Sequence, residues 1–90
     1  MTQDVFNKLY QESDRLVQAF MDWMIVYKDL KDEAIVKFHY KKTTTKLFYL
    51  GDIVELLTDD ENTRKNLLNH FQEELDLLNA FYKYVNTSKD

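Results

Sequence analysis

The chain has 90 residues, a net charge of −4 and no cysteine. This length corresponds to one domain, and the lack of cysteine excludes disulfides, thiol nucleophiles and cysteine-ligated zinc. One glycine and no proline favour long uninterrupted elements. The longest apolar run, residues 23–27, is far shorter than the ~20 residues that cross a bilayer. The first residues also lack the features of a secretory signal. We therefore expect a cytoplasmic protein with no membrane partner.

The first arm of the chain is predicted to be one long helix, from about residue 3 to about residue 30. Its apolar residues recur at spacings of three and four, which is the pattern of a helix with one apolar face. Between residues 20 and 27 almost every side chain is apolar, so this part of the helix is expected to be buried on more than one side. This is more apolar surface than one neighbouring helix can cover, so it predicts either burial in the protein's own core or a homodimer interface. The residues of this interface would be Phe20, Met21, Trp23, Met24 and Tyr27.

The last arm is predicted to be a second long helix, over residues 59–86. Residues 58–61 read Thr-Asp-Asp-Glu, which is a capping box with Thr58 as the N-cap and Glu61 reaching back to it. Two helices of matched length in a small chain pack most simply in antiparallel fashion. The fold class is therefore mainly α.

The middle of the chain is ambiguous. Val36, Phe38 and Tyr40 alternate with polar residues, which favours a half-buried strand, and residues 43–45 are β-branched threonines. Pairing residues 35–40 with 45–50 gives a small β-hairpin, which we favour, although the intervening turn lacks glycine, asparagine and aspartate. The alternative is two short helices, 33–42 and 46–57. In both cases the chain is expected to break at Gly51.

Candidate catalytic and metal-binding residues are few. His70, Glu73 and Glu74 have the spacing at which helical side chains can share a metal, but the sequence has no matching second set. A solvated helix face explains them as well. With one glycine there is no nucleophile elbow and no phosphate-binding loop. We expect neither an enzyme nor a cofactor or metal.

An acidic run follows the middle segment, and it predicts a patch that meets a basic protein partner. Helix capping and solubility explain the same residues more simply. The run comprises Asp52, Glu55, Asp59, Asp60 and Glu61.

Residues 34–50 carry lysines interleaved with aromatic residues and no carboxylate, whereas both flanking arms are acidic. In chemical type this strip resembles a surface that stacks bases and neutralises phosphates. The alternative is a set of lysines that protects a strand edge from aggregation. The residues that would contact nucleic acid are Lys37, Lys41, Lys42, Lys46 and Phe48.

Together these features favour a small regulator or inhibitor that binds another protein and forms a homodimer. The chain has ten lysines against two arginines, a composition typical of AT-rich coding DNA, which suggests a low-GC bacterium, a phage or a mobile element. The alternative function is nucleic-acid binding through the lysine strip, and the net negative charge argues against it.

Overall fold

A computed structural model describes residues 2–27 and 33–87 of the chain. These residues form three helices, α1 (Gln3–Tyr27), α2 (Glu33–Leu57) and α3 (Glu61–Thr87), and they contain no strand. Each helix packs against the other two, in a body 48 Å long and 18 × 16 Å across. The prediction of a mainly α fold is confirmed, and residues 28–30 of the predicted first helix lie outside the described residues.

None of the described helices is long and apolar enough to cross a bilayer.

The predicted β-hairpin is wrong, because residues 33–57 form one continuous helix. Besides the alternation that suggested a strand, this segment carries an apolar stripe with helical spacing. The threonines fit the helix by bonding to its backbone: the hydroxyls of Thr43 and Thr44 donate to the carbonyls four residues earlier, at 3.0 and 2.9 Å. These bonds satisfy the hydroxyl groups in place, so helical packing outweighs the strand preference of the threonines. The buried residues of the stripe are Val36, Thr43, Leu47, Leu50 and Val54.

The alternative of two short helices is also wrong, and the expected break at Gly51 is absent. Gly51 lies inside α2, where a Cβ atom added to it would meet the Leu68 side chain at 3.6 Å. This is an ordinary packing distance, so the glycine faces α3 closely without being required there. Asp52 consequently lies within α2.

The predicted antiparallel arrangement of the first and last helices does not agree with the ring contacts between them. Tyr10 stacks on His70, and Phe20 packs edge-on against Phe81, so residue numbers rise together along α1 and α3 and the two helices run in the same direction. The prediction failed because the middle segment is itself a full-length helix. That helix carries the chain back, and α3 then returns alongside α1.

The centre of the bundle is aromatic. The Phe20 side chain has no exposed surface and packs against His39, Tyr40 and Phe81. Tyr40 also stacks on Tyr82, with ring centroids 4.2 Å apart, and its hydroxyl donates to the Asn79 side chain. This layer joins all three helices at one level of the bundle.

The predicted capping box at Thr58 is wrong, and Asp60 caps α3 instead. Its carboxylate accepts from the Asn62 amide at 3.1 Å and from the Thr63 hydroxyl at 2.8 Å, which is the geometry of an N-cap. The Thr58 hydroxyl donates back to the Val54 carbonyl at 3.0 Å and so closes the end of α2. Thr58 therefore closes the C-terminal end of α2, and Asp60 caps the N-terminal end of α3.

Candidate functional site

The apolar cluster of α1 is mostly inside the bundle. Phe20 and Met24 are buried, while Met21 and Trp23 are partly buried and pack against the core. The side chain of Tyr27 lies outside what the structure describes. The protein's own core therefore accounts for the two buried members of this predicted interface.

His39 belongs to the same interior and not to an exposed basic strip. Its ring packs on Phe20 and on Trp23, with centroid distances of 5.4 and 4.5 Å. Burial lowers the pKa of His39, and the nearby ammonium groups of Lys42 and Lys46 lower it further. The neutral imidazole is therefore favoured, and it serves as a packing group between α1 and α2.

The apolar side chains of α2 with the highest exposed fraction lie on the side of this helix that faces solvent. Leu56 is 86% exposed, Phe38 68%, Tyr49 64% and Phe48 61%. They share this side with polar residues at helical spacing. We call this surface the outer face of α2 and define it by nine exposed residues: Phe38, Lys41, Lys42, Thr45, Phe48, Tyr49, Asp52, Glu55 and Leu56.

Charge is divided along the outer face of α2. Lys41 and Lys42 lie in its first half, and Asp52 and Glu55 lie in its second half. Lys37 and Lys46 are also exposed on α2. The hydrogen bond from Arg15 lowers the pKa of Glu12 on α1, and the positive charge of Lys46 lowers it further. The predicted lysine strip thus becomes the basic half of a helix whose other half is acidic.

The five residues of the predicted acidic patch lie near one end of the bundle, on the last turns of α2, the connection and the first turn of α3, and all are exposed. Asp60 has a structural role there, because the hydrogen bonds from Thr63 and the Asn62 amide lower its pKa. Asp59 and Glu55 lie on either side of the end of α2. We call this group the acidic end, and it comprises Asp52, Glu55, Asp59, Asp60 and Glu61.

A second polar group joins α1 to α3. Nε2 of His70 lies 2.8 Å from Oδ1 of Asp14 and 3.5 Å from Oε1 of Glu74. The Tyr10 ring covers the imidazole in a stacked arrangement, with ring centroids 3.6 Å apart. His70 and Glu74 have only 12% and 14% of their side-chain surface exposed, whereas Asp14 has 48%. The imidazole and the Glu74 carboxyl therefore interact mainly within this group, while Asp14 also meets solvent. We call Asp14, His70 and Glu74 the polar triad.

The two carboxyl groups of the polar triad titrate in opposite directions. Burial raises the pKa of Glu74 to about 7, and a hydrogen bond with Asp14 and the negative charges of Asp14 and Glu73 add to this. The same hydrogen bond from Glu74 lowers the pKa of Asp14, and His70 lowers it further. Of the two carboxyl groups, Glu74 is therefore the one that carries a proton below about pH 7. An ionised Asp14 only accepts hydrogen bonds, so His70 donates to it through Nε2, and Glu74 donates to it while protonated.

The polar triad is also the set of described residues whose geometry could hold a metal ion. One ligand atom from each member lies within 4.8 Å of the other two, and nitrogen with oxygen ligands suits several divalent ions. In this arrangement, however, the three groups satisfy one another by hydrogen bonds. These hydrogen bonds explain the observed geometry as a bridge between α1 and α3.

The sequence prediction identified part of this triad. It paired His70 with Glu73 and Glu74, and the structure places Glu74 beside the imidazole while Glu73 is exposed. It missed Asp14, which lies 56 residues away, because the predicted direction of the two helices was wrong. The one available signal was that Asp14 follows Tyr10 by one helical turn, so both lie on the same side of α1.

Ser13 directly precedes Asp14 in the sequence, but its hydroxyl is not placed to act as a nucleophile beside the polar triad. Its side chain is buried and its hydroxyl donates to the Tyr10 carbonyl at 2.8 Å, which commits it to the helix backbone.

No known protein family, curated protein or solved structure matches the chain.

Proposed function

We propose that the protein is a small protein-binding regulator or inhibitor, and that it docks through the acidic end together with the neighbouring apolar part of α2. The observation that carries this proposal is the exposure of Leu56, at 86%, beside Leu57, at 50%, and Ile53, at 39%. Single exposed apolar residues are ordinary. Several within two turns of one helix, rimmed by charge, are typical of a protein interface.

The surrounding carboxylates define the chemistry of the partner. Asp52, Glu55 and Asp59 are exposed near the apolar side chains, so a basic and apolar surface would complement them. Charges at the rim of an interface mainly steer association and exclude like-charged partners, while the central apolar residues supply most of the affinity. An acidic regulator of bacterial or phage origin would thus act by covering a basic surface on its target.

The test uses a panel of basic amphipathic helical peptides and matched acidic ones, with binding followed by fluorescence anisotropy. We expect the basic peptides to bind, Leu56→Asp to abolish this binding, and Glu55→Lys to slow association. Glu73→Lys is the matched control, since Glu73 is exposed on α3 and should leave binding unchanged. Equal binding of the peptides by the parent and by Leu56→Asp would contradict the proposal.

A second candidate function is nucleic-acid binding by the first half of α2. The observation that favours it is the exposure of Lys37, Lys41 and Lys42 on the helix that also exposes Phe38. If this surface binds nucleic acid, changing Lys41 and Lys42 to glutamate should abolish a gel shift, and parent affinity should fall steeply with salt as counterions are released. Binding that is unchanged in this double variant would exclude the basic half as the contact surface.

A further inference from the structure

The outer face of α2 has a central line of residues at the spacing by which one side of an α-helix meets a neighbouring helix. These residues lie four and three positions apart in alternation, half of them are apolar and half polar, and all of them are exposed. A different stripe of the same helix, running from Val36 to Val54, fills the bundle core. Within the described part of the chain, α2 therefore has two seams, of which one is covered. The exposed seam is Phe38, Lys42, Thr45, Tyr49, Asp52 and Leu56.

We propose that this exposed seam pairs with the same seam of a second copy of the chain, with the two α2 helices running in opposite directions. The inference rests on the proposed function, in which the acidic end and its apolar neighbours form a docking surface. It names one basic and apolar partner for that surface, the first half of α2 in another copy.

The order of residues along the seam sets the register. A two-fold axis at the level of Leu47 places Phe38 opposite Leu56 of the second copy and Lys42 opposite Asp52 of the second copy. It also places Thr45 opposite Tyr49. Symmetry repeats each contact, as in any isologous interface, so the pairing contains two apolar contacts and two ion pairs at the ends of a polar and aromatic centre.

The residues flanking the seam agree with the same register. Lys41 and Glu55 lie on one side of it, at positions that come together between antiparallel helices, and this adds a further pair of opposite charges. Phe48 lies on that side near the two-fold axis and can pack against Phe48 of the second copy. Its 61% exposure in the single chain is therefore accounted for by the pairing.

The charge order disfavours the parallel orientation without stagger. If the two helices ran in the same direction without stagger, Lys42 would face Lys42 and Asp52 would face Asp52, and like charges facing each other across an interface are unfavourable. The seam from Phe38 to Leu56 is about 27 Å long at the rise of an α-helix. This length is sufficient for several successive layers of contact.

The first experiment is a charge exchange followed by analytical ultracentrifugation. The parent is expected to reach twice its mass of 10.9 kDa as its concentration is raised through the micromolar range. Lys42→Glu and Asp52→Lys should each weaken self-association at least about tenfold, because each places like charges together twice. An equimolar mixture of the two variants should form the dimer again, since both pairs are then of opposite charge.

The control for the charge exchange is Lys83→Glu, which makes the same change at an exposed position of α3 and should leave the dimer intact. Circular dichroism verifies that every variant keeps its helical content. A parent that stays at the monomer mass into the submillimolar range overturns the inference. A mixture that fails to associate while the parent dimerises overturns the register.

Disulfide trapping tests the direction of the helices without charge changes, because the parent chain has no cysteine. Mixed Phe38→Cys and Leu56→Cys chains should cross-link to each other on mild oxidation, and neither should cross-link when alone. Cross-linking of Phe38→Cys to itself would show parallel helices and would contradict the proposal. These outcomes are separate from the peptide-binding test, because a monomeric parent that still binds basic peptides removes the second copy and leaves the proposed function standing.

Discussion

The carboxylate of Asp14 lies 2.8 Å from Nε2 of His70, and this contact joins α1 to α3. Glu74 adds a protonated carboxyl to the same contact, because its pKa is raised to about 7 by burial and by Asp14. The bridge between the two helices therefore depends on a proton, and its strength should change with pH.

We expect the free energy of unfolding to fall as pH rises from about 5 to about 8. Glu74 has a higher pKa in the folded chain than its usual 4.5, so the folded state binds this proton more tightly and loses the stabilisation as pH passes the folded value. At 1.36 kcal/mol per unit of pKa the full rise would correspond to about 3 kcal/mol. Solvent around the half-exposed Asp14 screens part of the interaction, so the loss should be on the order of 2 kcal/mol. Urea unfolding at a series of pH values measures it.

Glu74→Gln is the variant that isolates this effect, because glutamine keeps a donor for Asp14 and cannot ionise. The variant should be more stable than the parent at pH 8 and should lose the slope between pH 5 and 8. His39 contributes with the opposite sign, since its lowered pKa makes acid destabilising, so the comparison is made as parent minus variant. An identical slope in both proteins would contradict the role of Glu74.

Gly51→Ala should stabilise the protein by about 0.5–1 kcal/mol, because glycine in a helix interior costs about this much relative to alanine. The added methyl group meets Leu68 at 3.6 Å, so it fits without a shift of α3. Thermal unfolding monitored by circular dichroism should show a higher Tm. A lower Tm would mean that α2 and α3 approach more closely at this position than the structure indicates.

Asp60→Ala should lower the Tm, whereas Asp59→Ala should not. The Asp60 carboxylate accepts from the Asn62 amide and the Thr63 hydroxyl, and its removal leaves the first turn of α3 without its cap. Asp59 is exposed one residue earlier and serves as the matched control, with the same change of charge. Equal effects of the two substitutions would show that charge, rather than capping, determines the stability of this end.

Trp23→Glu should destabilise the fold without acting specifically on self-association. Trp23 packs against the His39 ring, so the substitution places a carboxylate in a partly buried contact between α1 and α2, where an unpaired charge is unfavourable. Lower stability in urea, with the dissociation constant of the dimer unchanged under conditions where the variant is folded, is the expected result. Specific loss of the dimer by a fully stable variant would place the interface on α1 instead of α2.

The sequence by itself determined the helical character of both arms. Apolar spacing from Leu9 to Met24 and from Leu67 to Leu78 is local information, and it marks one face of a helix without reference to any other part of the chain. The division of charge was equally readable, since lysines occur in residues 34–50 and carboxylates follow them. The sequence did not show on which surface of the folded protein these charges lie.

Only the tertiary structure decided the state of the middle segment and everything that depends on it. Residues 36–40 fit the period of a strand and that of a helix, and packing of the stripe ending at Val54 against both other helices selects the helix. That selection makes α1 and α3 parallel, and it brings Asp14 to His70 across 56 residues of sequence. It also turns Leu56 and Phe38 outward. Pairings over such distances depend on which elements pack together, and local periodicity does not contain that information.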